Sequence, residues 1–290
     1  MTEGAASAEQ PEGQEQVIPV FFLSDSTGIT AEAMGNALLV QFPGRRFERT
    51  TIPFISSGAE AHQVVQEIDD AAESGTTPLV FSTTIDPDIR AVLSDARAPI
   101  IDLFETHLQQ VQNVLGTAPS KQRSQLHGMR DMEAYSDRMA AIEFTIEHDD
   151  GQSLRALDRA DVIIMAPSRC GKTPTSMYLA LQHGLFVANY PIVDEDFETT
   201  QLPRPLQPYR ERLFGLITSP DRLSAVRSER RPGSRYASLQ QVNYELNSAR
   251  ALFKRHRIPV VDSSAKSVEE MSAIILQHLA HRHEPHAFGH

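Results

Sequence analysis

Cysteine is nearly absent from this chain. Cys170 is the only one among 290 residues, so no internal disulfide and no multi-cysteine metal site can form. A reducing compartment fits that usage. Positive charge is also in deficit: 27 Lys and Arg stand against 38 Asp and Glu, a formal net charge of -11. This argues against a general nucleic-acid binder, because a phosphate backbone needs clustered Lys and Arg. A local basic pocket stays open. Long apolar runs are missing too. None approaches the ~20 residues that span a bilayer, so no membrane partner is expected. Residues 1–16 (MTEGAASAEQPEGQEQ) are acidic and small. They lack the basic start and apolar core of a signal or transit peptide, and a disordered tail is expected there. Together these absences predict a cytoplasmic protein.

What remains is rich enough in apolar residues, 40%, for one large domain or two modest ones. Val17–Leu23 (VIPVFFL) reads as a fully apolar strand. Ser24-Asp25-Ser26-Thr27-Gly28 reads as a polar turn, and Thr30 as the N-cap of a following helix. Further strands are expected at Thr51–Ile55, Pro78–Ser82 and Pro99–Asp102, with helices at Ala59–Ala72 and Asp88–Ala96. Residues 109–150 are polar and lack a strand signal, so a mostly helical connector is expected, with a helix over Met132–His148. From residue 151, strands at Val162–Met165, Leu185–Asn189, Leu213–Ile217 and Ile258–Val261 alternate with helices at Pro174–His183, Tyr236–His256 and Val268–His281. Alternation of this kind predicts parallel sheets covered on both faces. The expected fold is α/β: two α/β units with mainly parallel sheets, the C-terminal one resembling a P-loop kinase unit. The expected domains are 17–108 and 151–282, with a short tail at 283–290. One pattern recurs, Pro99-Ile-Ile-Asp102, Pro191-Ile-Val-Asp194 and Pro259-Val-Val-Asp262. Its unequal intervals exclude a repeat architecture. The plain reading is three short strands that begin at Pro and end in a cap residue. The functional reading puts some of these aspartates at the carboxyl ends of parallel strands, where ligands bind.

The most informative stretch is Val162 to Ala180. An apolar strand leads through Ala166-Pro167-Ser168-Arg169-Cys170 into Gly171-Lys172-Thr173 and a helix. That order is the context in which Gly-Lys-Thr reads as a phosphate loop. The N–H groups of Gly171, Lys172 and Thr173 would lie at a helix N-terminus, where the dipole favours anions. Lys172 would reach terminal phosphate oxygens and the Thr173 hydroxyl would ligate Mg²⁺. Arg169 adds a second cation. The first glycine of the usual pattern is replaced by Ala166, and Pro167 follows. Ala resists positive φ and Pro has no N–H, so the loop must differ in detail from the usual cradle. Cys170 has no evident base beside it and reads as a small filler residue.

Other polar groups have a bland and a functional reading. His148-Asp149-Asp150-Gly151 is a turn signature. Beside a phosphate site, its aspartates become candidates for general base or Mg²⁺ ligand. Asp25 is a cap by default and a site residue if the first unit faces the second. Arg227 to Arg235 (RSERRPGSR) is a solvated basic loop, a phosphate clamp or a docking surface for an acidic partner. The histidines near the end, among them His278, His281, His283, His286 and His290, are irregularly spaced and read as a tail rather than a metal site.

Several segments resemble one known family. Phe21-Phe-Leu-Ser-Asp-Ser-Thr-Gly-Ile-Thr-Ala-Glu32, Ala141-Ile-Glu-Phe-Thr-Ile-Glu-His-Asp-Asp-Gly151 and Ser168-Arg-Cys-Gly-Lys-Thr-Pro-Thr-Ser176 resemble motifs of the pyruvate, phosphate dikinase and phosphoenolpyruvate synthase regulatory proteins. Ala188-Asn-Tyr-Pro191, Ser234-Arg-Tyr-Ala-Ser238 and Ser263–Glu270 fit as well. The resemblance runs from about residue 17 to 280, and the loop form is most similar to the synthase-type branch. Ala166-Pro167 departs from it, where the family usually has Gly and an aliphatic residue. The resemblance implies a bifunctional enzyme acting on phosphoenolpyruvate synthase. With ADP as donor it would phosphorylate a threonine and inactivate the synthase. With inorganic phosphate it would remove that phosphate and release pyrophosphate. It also implies a homodimer. Lys172, Asp149, Asp150 and Asp25 are the expected catalytic residues, and Ala166–Thr173 the nucleotide loop. The alternative is an ATP-dependent small-molecule P-loop kinase. A nucleotide-sensing module without catalysis is a third reading; a GTPase switch is disfavoured by the lack of an Asn-Lys-x-Asp motif.

Overall fold

The computed structural model describes residues 17–120, 132–151 and 153–283. They form two compact units, divided between residues 128 and 129.

In the first unit, strand β1 (Val17–Leu23) is followed by helix α1 (Ile29–Leu39), β2 (Arg46–Ile52), α2 (Gly58–Glu73), β3 (Leu79–Ser82), α3 (Pro87–Leu93), β4 (Ile100–Asp102) and α4 (Glu105–Leu115). The sheet order is β2-β1-β3-β4, and every pairing is parallel. A central parallel strand needs apolar residues on both faces, and the second half of β1, Val20 to Leu23, is buried throughout. Strand β2 starts five residues before the expected Thr51. Its sequence RFERTTI lies mostly exposed, so no apolar pattern marks it. The ladder to β1 defines it instead, from Val17 opposite Arg46 to Leu23 opposite Ile52. Helix α1 is capped by Gly28 at φ 79 rather than by Thr30, because the chain enters the helix through a left-handed residue. Helix α2 opens on a capping box between Ser57 and Glu60, which satisfies donors at both ends of its first turn.

The second unit contains α5 (Met132–Glu147), β5 (Val162–Ala166), α6 (Lys172–His183), β6 (Val187–Pro191), β7 (Leu213–Ile217), α7 (Pro220–Arg230), α8 (Leu239–His256), β8 (Val260–Asp262) and α9 (Val268–His283). Its sheet order is β6-β5-β7-β8, again all parallel. Strand β5 is buried along its whole length. Helices α5 and α9 pack against α6, and α7 against α8. The two units therefore share one strand order, the α/β architecture expected from the alternation of elements. In each, the first strand lies between the second and third, so the order reverses beside it. In open parallel sheets the crevice at the carboxyl ends of such strands receives ligands. Two of the three recurring aspartates, Asp102 and Asp262, end β4 and β8, the same station in each unit. Pro191 instead ends β6, and Asp194 opens a 3₁₀ turn.

Helix α7 overturns the loop reading of Arg227. Ser219 caps the helix through Arg222 N, and Pro220 follows at its first position, the arrangement helix starts favour. Arg227 lies inside the helix and is fully buried. Among the described residues, no helix is long and apolar enough to cross a membrane. Residues 1–16, His286 and His290 lie outside the described residues.

Candidate functional site

The loop after β5 answers the question posed by its missing glycine. Ala166 belongs to the strand. It pairs with Pro191, and its carbonyl accepts from Ile192 N at 3.0 Å, so it needs no left-handed backbone. The positive φ values fall on Arg169 (72) and Gly171 (98) instead. Gly171 caps α6. A methyl group there would meet only Met271 Cε, at an ordinary 3.6 Å, so the backbone conformation, not space, favours glycine. Pro167 contributes a carbonyl where an N–H is absent. Lys172 Nζ folds back and donates to the carbonyls of Ala166 and Pro167, each at 3.4 Å.

Lys172 is 3% exposed, and its ammonium is 3.8 Å from Asp150 Oδ1. Burial pushes its pKa below the usual lysine value, with Asp150 the largest opposing influence. Thr173, the next residue on α6, donates its hydroxyl to Asp149 Oδ1 at 2.8 Å and to Oδ2 at 3.1 Å. Asn189 of β6 donates Nδ2 to Asp149 Oδ1 at 2.5 Å and to Ser176 Oγ at 3.0 Å. The other end of that amide, Oδ1, is buried without a hydrogen-bond partner. A buried polar atom of this kind carries a desolvation penalty.

The Asp149–Gly151 turn is a 3₁₀ turn, as its composition predicts, and it stands against the loop. His148, at the end of α5, fixes it. The two ring nitrogens meet the carbonyls of Phe144 at 2.7 Å and Arg155 at 2.6 Å, and the backbone carbonyl accepts from Asn189 N at 3.0 Å. Asp150 is left-handed (φ 48), its side chain 60% exposed. Gly151 is left-handed too (φ 70), and a methyl group there would press on Pro191 at 3.0 Å.

Ser168 is held from the far side. Its hydroxyl meets Tyr236 OH at 2.9 Å. Its carbonyl accepts from Arg227 Nε at 3.2 Å and Nη2 at 3.0 Å. Arg227 pairs with Glu245 through Nη2–Oε2 at 2.6 Å and Nη1–Oε1 at 3.1 Å. It also lies over the Tyr236 ring, 4.2 Å from the centroid. A buried guanidinium thus spends its donors on one carboxylate and on loop carbonyls. Sequence reasoning missed this clamp. Its one signal was Ser219-Pro220-Asp221, a helix start that puts Leu223 and Arg227 on one face. Burial pushes the Cys170 thiol up to about 12, against the pull of Lys172 and Arg227. It is a packed filler, as expected.

Lys172, Thr173, Asp149, Asp150 and the 166–173 loop therefore come together in the second unit. Asp25 lies in the first unit, after β1, where Oδ2 accepts from Ile85 N at 2.8 Å and Asp86 N at 3.1 Å. It ties the loop after β1 to the loop after β3. The loop after β1 has the same length as the one after β5. Residues 24–27 separate the end of β1 from left-handed Gly28, as residues 167–170 separate the end of β5 from left-handed Gly171.

Comparison with known proteins bears on this geometry. A family model described as kinase/pyrophosphorylase matches residues 20–276. A Legionella pneumophila (strain Corby) protein is 45% identical over 258 residues, 89% of this chain and 95% of the relative. A protein from Alcanivorax borkumensis is 45% identical over 257 residues, 88% of this chain and 94% of its own. One from Pseudomonas aeruginosa (strain UCBPP-PA14) gives the same figures, 45% over 257 residues. All three are provisionally named phosphoenolpyruvate synthase regulatory protein.

Proposed function

This chain belongs to the kinase/pyrophosphorylase family, and on that premise we propose that it is a bifunctional regulator of phosphoenolpyruvate synthase. In one direction it transfers the β-phosphoryl group of ADP to a threonine of the synthase and inactivates it. In the other it removes that group with inorganic phosphate. The observation that carries the reading is the convergence of Lys172, Thr173, Asp149 and Asp150 on one strand–loop–helix turn.

The chemistry balances with these residues. The threonine Oγ attacks the β-phosphorus, the bond from that phosphorus to the α–β bridging oxygen breaks, and AMP leaves. The threonine proton passes to a carboxylate, and Asp150 is the exposed one. In reverse, a phosphate oxygen attacks the phosphothreonine, the P–Oγ bond breaks, Oγ regains a proton and pyrophosphate leaves. Phosphoryl transfer is mostly positioning and charge stabilisation. Lys172 would turn from the loop carbonyls to the phosphoryl oxygens, and the N–H groups at the start of α6 would face the same charge. The Asp149 carboxylate and the Thr173 hydroxyl, 2.8 Å apart, are oxygen donors of the kind a hard divalent cation takes. Mg²⁺ held there would neutralise charge on the transferred group.

The test is incubation with phosphoenolpyruvate synthase and either β-labelled ADP or γ-labelled ATP. Threonine labelling from ADP, reversed by phosphate with release of pyrophosphate, is expected. Label that comes only from ATP, or that ends in a metabolite rather than the synthase, would replace this reading with a small-molecule kinase.

A further inference from the structure

A concavity of about 360 Å³ lies beside the loop in the second unit. It touches the loop only at Ser168, so the N–H groups of Gly171 to Thr173 stay clear of it. Its other wall is the chain that leaves β6, Ile192 to Glu195, and its third side is Arg235 and Tyr236. Arg227 of α7 and Gln241 and Glu245 of α8 complete the lining, so elements that follow β6 and elements that follow β7 both border it. The strand order reverses between β5 and β7, and the crevice there is where an open parallel sheet receives its main ligand. Two approaches to one phosphate loop suit a transferase, which must bring donor and acceptor to the same phosphorus from different sides.

The lining says which of the two belongs here. Asp194 and Glu195 are exposed and give the wall negative charge, which opposes a diphosphate. Val193 is 47% exposed at the same wall and offers it an apolar surface. Arg235 is exposed and makes no ion pair among the described residues. A neutral polypeptide segment meets no like charge in such a cavity; Arg227 also lines it but is engaged with Glu245 and Ser168, which leaves Arg235 as the cation that can contact the segment. The wall is also rigidly joined to the loop. Asp194 accepts from Gln241 Nε2 at 2.9 and 3.1 Å. The same nitrogen donates to Glu245 at 3.1 Å, and Glu245 holds the arginine that holds Ser168. A cavity fixed this way loses little freedom when it fills.

We propose that this cavity is the acceptor subsite: it takes the hydroxyl-bearing segment of the protein substrate, with Val193 packing against the segment and Arg235 hydrogen-bonding to it. The assignment rests on the protein-kinase reading above. The test uses the full chain with the synthase as acceptor, and the variants Val193→Arg and Arg235→Ala, both at exposed positions. Arg235→Ala is expected to raise the KM for the synthase by about tenfold, the scale of a lost charge-assisted contact, and Val193→Arg to raise it by filling the cavity, while calorimetric ADP affinity stays at the wild-type value. An equal loss of ADP affinity would reassign the cavity to the donor. Wild-type transfer with both variants at the wild-type KM would remove the subsite and leave the kinase reading standing. A wild-type protein that transfers nothing from ADP would remove both.

Discussion

Lys172 is the residue on which the site's electrostatics turn. Its amine is buried among carbonyls, and its pKa is lowered. The sign follows from linkage. Between the lowered folded value and the ordinary unfolded one, the unfolded chain binds more protons, so stability of the free protein rises with pH across that interval. A phosphate ligand favours the ammonium form. ADP affinity is therefore expected to fall as pH rises through the lowered pKa, and binding there takes up a proton. Calorimetry in two buffers of different ionisation heat measures that uptake; identical heats would show that Lys172 does not change state. Lys172→Ala is expected to abolish both transfer and phosphorolysis. A variant that kept either near the wild-type rate would exclude a shared phosphate pocket. Asp150→Asn has a different signature, because Asp150 is exposed and holds no structural hydrogen bond in the turn among those described. It is expected to lower kcat by about 10²-fold or more, the usual scale of a general base, with ADP binding intact. Loss of binding in equal measure would assign Asp150 to the donor or its cation.

At the scale of elements, Arg227 of α7 and Glu245 of α8 anchor the loop. Removing one partner leaves an uncompensated buried charge. Arg227→Met is expected to destabilise the fold by about 3–5 kcal/mol, read as a fall in denaturant midpoint. The double variant Arg227→Met, Glu245→Leu is expected to recover most of that loss, because an apolar pair of similar volume replaces the ion pair without stranding a charge. Transfer is expected to stay impaired, since Ser168 has lost its clamp. Full recovery of rate along with stability would mean that the clamp only holds the fold. The same pair shows what the sequence could and could not convey. Strands β1 and β7 are legible to the residue, because each is an uninterrupted apolar run in a sheet covered on both faces. The carboxylates and the loop are legible because their residues are contiguous. Arg227 is not, since its partners Ser168 and Glu245 lie 59 and 18 residues away, and a charged helix that buries only Leu223 and Arg227 has no apolar stripe to reveal it. Asn189 is hidden for the same reason: its contact with Asp149 spans 40 residues. Only the end of β2, Thr51 and Ile52, falls in the expected strand, because pairing rather than burial makes the rest.

At the scale of the whole molecule, the chain builds the same sheet twice. Each unit has strand order second-first-third-fourth and a loop of equal length that ends in a left-handed glycine. The apolar clusters respect the division. Two are built from residues of the first unit, around Phe21 and Leu23 and around Phe22 and Phe81. Two belong to the second, around Ile164 and Leu246 and around Ile163 and Phe253. A unit with its own core meets the physical requirement for folding alone. The proposed donor residues, Lys172, Thr173, Asp149 and Asn189, and the clamp that holds Ser168, all lie in the second. The charge in the first unit's loop points the other way: where Lys172 follows Gly171, Ile29 follows Gly28, and Asp25 stands inside the turn. That loop lacks the cation that a phosphate site needs, so only one of the two copies suits a donor. Residues 129–290 expressed alone are therefore expected to unfold cooperatively and to bind ADP with the affinity of the full chain, by melting and calorimetry. Cooperative unfolding with ADP binding lost would place part of the donor site in the first unit, and the loop after β1, with Asp25, would be the first place to look.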